Sequence, residues 1–484
     1  MPGRSFESQP LPFLSRQSFY PWLVVGVTCI GGFLGQLDAS IVQLALPALK
    51  LAFGVSVDDV RWVAIAYLLA YAGCLPLFGR VCEIFGRKLL YLLGFALFTV
   101  ASLLCGLATD LTSLIVFRTL QGIGGSLLGA NSIITLIKST PSDKRARAMG
   151  FLTASQAVGL SAGPVVGGIL LDTLGWQWVF WAAVPFGLAA VMVGWLVLPQ
   201  STDLADSTDL DWHGALLLMP SLVLGVLVLN QTSVWPLLSP AMILSVVAAV
   251  VLLALFLRHE RVAASPLVDL SLFGANAFTA GIVGVAMGYA LMYGMFFLMS
   301  FALIHGLHES ARLVGIKLAV IPIAIGLLAS FAISLSERWG SRAVGVVGMG
   351  LCTAAIVTIS GLALHPIGTL ISGLSAFAVF GVGLGLFMAS NTNATMEAVP
   401  ASRAGTASAL VNLMRALGSC IGISAASSMM SWRMQQLAGP DELDKLYFEG
   451  SRLLDGVESS LAVLVLFALI AAAGLLARPR SAVR

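Results

Sequence analysis

Charge is scarce in this chain. Asp, Glu, Lys and Arg make up only 10% of its 484 residues, against about 25% in an ordinary soluble domain. Hydrophobic residues make up 58%, which leaves too little polar surface to cover a water-exposed globule. Composition alone therefore argues for a protein embedded in a bilayer.

Cysteine and histidine are few as well. The six cysteines (Cys29, Cys74, Cys82, Cys105, Cys352 and Cys420) fall mostly in apolar stretches and form no CxxC pair, so neither a disulfide framework nor a zinc site is supported. The five histidines (His213, His259, His305, His308 and His365) are scattered near the ends of apolar stretches, and none is spaced to share a metal with deep acids. The phosphate-cradling loop GxxxxGK[ST] is missing, which argues against ATP hydrolysis. No gap is long enough for a soluble output domain. A polytopic membrane enzyme or a sensor is thus poorly supported, and no metal or cofactor is expected. The net charge of +3 carries no nucleic-acid signal. The run after Tyr20 is far longer than the apolar region of a signal peptide and holds Gln36, Asp38 and Gln43, so it reads as a retained helix.

What the chain has in quantity is long apolar runs. Stretches of about 20 apolar residues cross a bilayer as helices. Fourteen are predicted, over 22–46, 60–79, 88–108, 111–137, 146–171, 178–198, 212–230, 236–257, 275–301, 311–334, 343–363, 367–390, 404–430 and 457–477. The longest gaps are the acidic Gln200–Asp211 and the charged Ser431–Gly456, the latter with room for a short surface helix. With both termini cytoplasmic, seventeen Lys and Arg fall inside and seven outside, the asymmetry expected of a membrane protein so oriented.

The chain also repeats itself. The loop after span 2 reads Gly79-Arg-Val-Cys-Glu83-Ile-Phe-Gly86-Arg87-Lys88, and the loop after span 10 reads Ser334-Leu-Ser-Glu337-Arg338-Trp-Gly340-Ser-Arg342. In both, an acid is followed by Gly three residues on and then a basic residue. Transporters are frequently built from such repeats. The predicted organisation is an all-α integral membrane fold of fourteen transmembrane helices. It comprises a cytoplasmic tail (1–21), a six-helix bundle (22–198), a linker with two inserted helices (199–262), a second six-helix bundle (263–477) and a cytoplasmic tail (478–484).

Charges inside spans cost a few kcal/mol or more and default to function. Asp38 is the one carboxylate well within a span. Arg118 is its basic counterpart, roughly 10 Å below the outer face against roughly 14 Å for Asp38 at 1.5 Å per residue. Two opposite charges at similar depth in one bundle predict a shared hydrogen-bonded site. Arg415, with Asn412 one turn before it, lies near midplane in span 13, and Lys317 lies where it can snorkel outward. Span 9 carries Met287, Tyr289, Met292, Tyr293, Met295, Phe296, Phe297 and Met299. That set reads first as core packing, with Tyr289 and Tyr293 the pocket candidates because their hydroxyls need partners. Gln43, Gln121, Asn412 and Arg415 complete the candidate cavity. Gly159, Gly163 and Gly167 recur every four residues and let another helix approach; Pro164 within that stripe loosens its helix.

These residues resemble the motifs of the major facilitator superfamily, and within it the fourteen-helix drug:proton antiporter branch. The resemblance covers nearly the whole chain. Leu37-Asp38 through Pro47 is similar to the branch's first-helix motif, and Gly79, Glu83, Gly86, Arg87 and Lys88 to the superfamily's loop between helices 2 and 3. Arg118-Thr-Leu-Gln121-Gly122 resembles the proton-linked arginine motif, and Gly159, Gly163, Pro164, Gly167 and Gly168 the antiporter motif. Trp176 through Pro185, Pro266 through Phe273, and Gly405 through Gly422 also resemble branch patterns. Glu83 and Ile84 stand where the family usually has Asp and Arg, and Gln177 and Ala183 replace a common Arg and Asn.

The resemblance implies proton-coupled export of amphipathic organic compounds by alternating access. Asp38 and Arg118 would couple the proton, and the loop motif would act as a conformational switch. The proton motive force would stand in place of any cofactor. It implies a multi-pass protein of a bacterial inner membrane, exchanging protons for small amphipathic substrates. Export of one endogenous metabolite or lipid is the alternative, and a periplasmic adaptor is left open.

Overall fold

In lipid a backbone must satisfy its own hydrogen bonds, and apolar runs of this length do so as helices. The computed structural model describes residues 7, 9–201, 211–232, 235, 236, 238–263, 266–363, 370–400, 403–438 and 450–477. Among the described residues, fourteen helices are long and apolar enough to cross a membrane. Their main helical segments are α1 (Tyr20–Phe53), α2 (Trp62–Phe85), α3 (Arg87–Gly106), α4 (Leu111–Ser139), α5 (Arg145–Thr173), α6 (Val184–Val197, within a sixth span of Gln177–Val197), α7 (Trp212–Gln231) and α8 (Pro240–Glu260). There follow α9 (Asn276–Phe301), α10 (Ala311–Trp339), α11 (Ser341–Thr358), α12 (Leu370–Glu397), α13 (Ala404–Ala438) and α14 (Gly450–Ala477). With fourteen alternating spans, α1 begins and α14 ends on the same side. That side is called the terminal face here, and the opposite one the far face.

Several ends differ from the sequence reading. Helix α1 continues through Pro47 to a left-handed Gly54, at φ 63°, since one lost backbone bond does not stop a helix packed on neighbours. The sixth span is broken, with a short helix at Gln177–Trp181 before α6. Helix α13 runs on to Ala438, and α14 starts at Gly450, not at 457. The surface helix expected within Ser431–Gly456 falls largely on 439–449, outside the described residues.

The packing repeats with a shift of eight helices. In the first set α1 lies on α5, and α2 and α3 on α4; in the second α9 lies on α13, and α10 and α11 on α12. Glycines make the closest of these contacts. A Cβ on Gly159 would collide with the Phe33 carbonyl of α1, and one on Gly418 or Gly422 with the Ala286 or Ala290 carbonyl of α9. The repeated loop is matched in backbone as well: Gly86 has φ 103° and Gly340 φ 83°, a region open to glycine and strained for other residues. The two sets meet where α5 lies on α10 and α2 on α13. Helices α7 and α8 pair with each other, and α7 also touches α2 and α13. Burial grades from 83% of the most apolar stretch of α9 to 11% of that of α8, so α9 is central and α8 faces lipid.

Gly159→Val is expected to wedge α1 from α5 and lower the melting temperature of the purified protein by several degrees. Gly150→Val, on the same helix with open space around it, serves as the control and should leave it within about a degree, as surface changes usually do.

Candidate functional site

A closed polar network lies inside the first helix set. Asp38 on α1 and Arg118 on α4 are 2% and 1% exposed. Nη1 of Arg118 donates to both carboxylate oxygens of Asp38, at 2.9 and 2.8 Å, and to Oε1 of Gln121 at 2.6 Å. Gln121, one turn further along α4, donates from Nε2 to Asp38 Oδ1 and to the Ser102 hydroxyl of α3, both at 2.8 Å. Nε of Arg118 donates to the Val63 carbonyl of α2 at 3.0 Å. The Tyr67 ring of α2 lies 4.4 Å from the guanidinium carbon and the Phe180 ring 5.8 Å. Each charge thus meets its opposite, and the remaining lone pairs and protons are largely met by polar neighbours, the condition under which an ion pair survives burial.

Beside this network is a cavity of about 340 Å³. Tyr67 belongs to both: one face backs the Arg118 guanidinium, and its side chain also forms cavity wall. Ala39, next to Asp38, lines the cavity as well. The wall includes Met149 near the start of α5, Met396 near the end of α12 and Ser408 near the start of α13, all terminal-face ends. The cavity therefore lies on the terminal-face side.

Tyr289, Tyr293, Asn412 and Arg415 all line this cavity. Two other candidates do not. Gln121 is consumed by the Asp38 carboxylate. Gln43 sits one turn beyond Ala39 toward the far face, buried and with Oε1 unbonded. Tyr67 and Tyr71 were missed, although their i, i+4 spacing inside an apolar span is that of Tyr289 and Tyr293. Lys317 reaches toward the far face as expected and is held there by Glu309.

The far face is shut by contacts between the two helix sets. Asp172, at the end of α5, accepts from the Ala311 and Arg312 amides at the start of α10, at 3.1 and 3.0 Å. Arg61 is buried where α2 begins, paired with Asp58 at 2.8 Å. It donates to Ser427 of α13 at 2.8 Å and to the Asn230 carbonyl of α7. Arg61 reads in sequence as one more outer charge, because its partners lie far away along the chain. The antiporter-motif glycines divide: Gly159, Gly163 and Gly167 meet α1 of their own set, while Gly168 and the Pro164 carbonyl meet Ala311 and Gly315 of α10. The stripe of Gly159, Gly163 and Gly167 is therefore filled by α1 of its own set, and Gly168 and Pro164 make the contact with the other half.

On the terminal face the segment expected as a loop is helical up to a break at Gly86, and Glu83 pairs along it with Arg80 of α2 at 2.9 Å and more loosely with Arg87, the first residue of α3, at 3.8 Å. The amides of Arg87 and Lys88 donate to Ser201 Oγ at 2.8 and 3.4 Å. Glu7 of the N-terminal tail accepts from the Leu89 amide at 3.0 Å and the Ser201 amide at 2.6 Å. The tail acid at a helix N-terminus is electrostatically apt, and position alone did not reveal it.

Fourteen membrane-crossing helices, two like-packed sets and one inserted pair, with a cavity between the sets, define a transporter architecture. The family model described as Major Facilitator Superfamily matches residues 28–423, and this chain belongs to that family. It is a transporter and not an enzyme. It is 31% identical over 415 residues to the riboflavin transporter RibZ of Clostridioides difficile (strain 630), covering 85% of this chain and 88% of that one. It is 29% identical over 413 residues to the multidrug resistance protein Stp of Mycobacterium tuberculosis (strain CDC 1551 / Oshkosh), covering 84% and 76%. With the tetracenomycin C resistance and export protein of Streptomyces glaucescens it shares 30% over 418 residues, covering 86% and 77%. These relatives accord with the drug-antiporter branch named from the motifs. In fold it is similar to the crystal structure of a bacterial homologue of the human lysosomal transporter Spinster, inward-facing and unoccupied. That likeness has a TM-score of 0.69 at 16% identity, over 95% of this chain and 97% of that one.

Removing one member of the Asp38–Arg118 pair leaves a buried charge, at a cost of about 3–5 kcal/mol. Asp38→Ala and Arg118→Ala are each expected to lower the melting temperature more than the double variant does. Additive losses in the double-mutant cycle would show that the pair is not coupled.

Proposed function

We propose that this chain exports amphipathic organic compounds in exchange for protons, by alternating access, across the inner membrane of a bacterium. The observation that carries this reading is the buried Asp38–Arg118–Gln121 network, backed by a tyrosine ring that is also cavity wall. A proton arriving on Asp38 cancels one charge of the pair and weakens the hold on Nη1 of Arg118, which keeps its bond to Gln121. The guanidinium is then a buried charge without its counter-ion, which the closed arrangement does not tolerate. Tyr67 rests on that guanidinium, so its shift is felt at the cavity. The Asp172 and Arg61 contacts give the far face a closed state, and their release gives it an open one. Glu83, Gly86, Arg87 and Lys88, held by Glu7 and Ser201, serve as the switch loop on the terminal face. The excess of Lys and Arg supports a cytoplasmic terminal face, so the cavity loads from the cytoplasm and the proton enters from the far side. The proton motive force drives the cycle.

A second reading is export of one endogenous metabolite, favoured by the likeness to a riboflavin transporter. Proteoliposomes with an imposed pH gradient test both. Wild-type protein is expected to move protons only when a transported compound is present, and Asp38→Asn to move neither. Unaltered pH-dependent efflux by Asp38→Asn would remove Asp38 from the cycle, and flux confined to riboflavin among many compounds would favour the second reading.

A further inference from the structure

Four of the seven tyrosines in the chain line the cavity. Tyr67 and Tyr71 stand one turn apart on α2, with ring centroids 6.4 Å apart and planes 29° from parallel. Tyr289 and Tyr293 repeat the arrangement on α9, at 6.4 Å and 18°. The pairs belong to opposite helix sets and line the same cavity. None of the four hydroxyls has a hydrogen-bond partner among the described residues, although buried tyrosine hydroxyls usually find one.

Charge in this cavity has one sign. Among its described lining residues Arg415 alone carries a formal charge. Its guanidinium lies 5.6 Å from the Tyr289 ring centre, and its Nη1 reaches Asn412 Oδ1 at 3.4 Å. Nε of Arg415 is buried without a partner. The nearby carboxylate of Asp38 is already neutralised by Arg118. A cationic compound entering here meets an uncompensated guanidinium in a medium of low dielectric, where like charges repel strongly. An anionic or acceptor-rich edge meets free donors.

We propose that the cavity selects flat aromatic compounds with an anionic or acceptor-rich edge and disfavours cations. Tyr67 and Tyr71 stack the ring system from one helix set, and Tyr289 and Tyr293 from the other. Arg415 and the free phenol hydroxyls hold the edge. Stacking tolerates many ring systems because each offers a π-face, so the site is selective for class and not for one molecule. This rests on the cavity being the transport site.

The test is equilibrium binding to the full chain in lipid nanodiscs, without a pH gradient. The probes are anthracene-9-carboxylate, (anthracen-9-ylmethyl)trimethylammonium and adamantane-1-carboxylate. The aromatic anion is expected to bind at least about tenfold tighter than either of the others, a difference of about 1.4 kcal/mol. Arg415→Gln should erase the preference for the anion over the aromatic cation, and Arg415→Lys should keep part of it. Tyr289→Leu should erase the preference over the aliphatic anion. Equal binding of cation and anion by the wild type, or an unchanged preference in Arg415→Gln, would overturn the proposal. The wild-type comparison needs no variant to fold. The anion preference without proton-driven flux would remove the exchange reading and leave this one standing; proton-driven flux of cations and anions alike would do the reverse.

Discussion

The structure depends on a pair of charges that the membrane would not accept singly. Asp38 and Arg118 are each expensive in lipid, and each is tolerable because the other is 2.8 Å away. Their bonds fix more than two side chains. Val63 and Tyr67 bring in α2, Ser102 brings in α3, and Gln121 joins donor and acceptor on α4. Four helices of one set are thereby held in one register around a single ionisable group. The Asp38 carboxylate is therefore bound into the contact of all four helices.

Tyr67 joins that network to the cavity wall. Its ring is packed between a buried cation and the open space where a substrate would lie, and its backbone carbonyl is pressed against Gly122 of α4. Little slack remains for the guanidinium to move without the wall moving too, because close-packed interiors transmit displacement. The far-face contacts complete the circuit. Arg61 ties the start of α2 to α13 and to the Asn230 carbonyl of α7, so the inserted helix pair takes part in closure through α7 while α8 covers it from the lipid side.

Much of this was legible in the chain. Asp38 and Arg118 could be paired from depth alone, because rise per residue converts position in a span into position in a membrane. The repeat was legible through Glu83–Gly86 and Glu337–Gly340, since both glycines sit at the one backbone conformation that demands them. Helix ends were less so: Pro47 marks a lost hydrogen bond, and tertiary packing carries α1 past it. Gln121 read as a cavity residue because polarity inside a span signals function without saying toward which neighbour. Arg61 and Glu7 were illegible for a different reason. Their partners Ser427 and Ser201 lie 366 and 194 residues away, and only the fold brings them near. Tyr67 and Tyr71 could have been found from spacing, and were lost among apolar neighbours.

The central claim is that protonation of Asp38 sets which face is open. Spin labels at Leu174, beyond the end of α5, and Leu313, at the start of α10, are both exposed and lie across the far-face contact. Their distance distribution, measured by pulsed electron resonance in nanodiscs across a pH series, reads the claim without any substrate. The account predicts a distribution that shifts with pH in the wild type and stays fixed in Asp38→Asn. A distribution that shifts equally in both would contradict it.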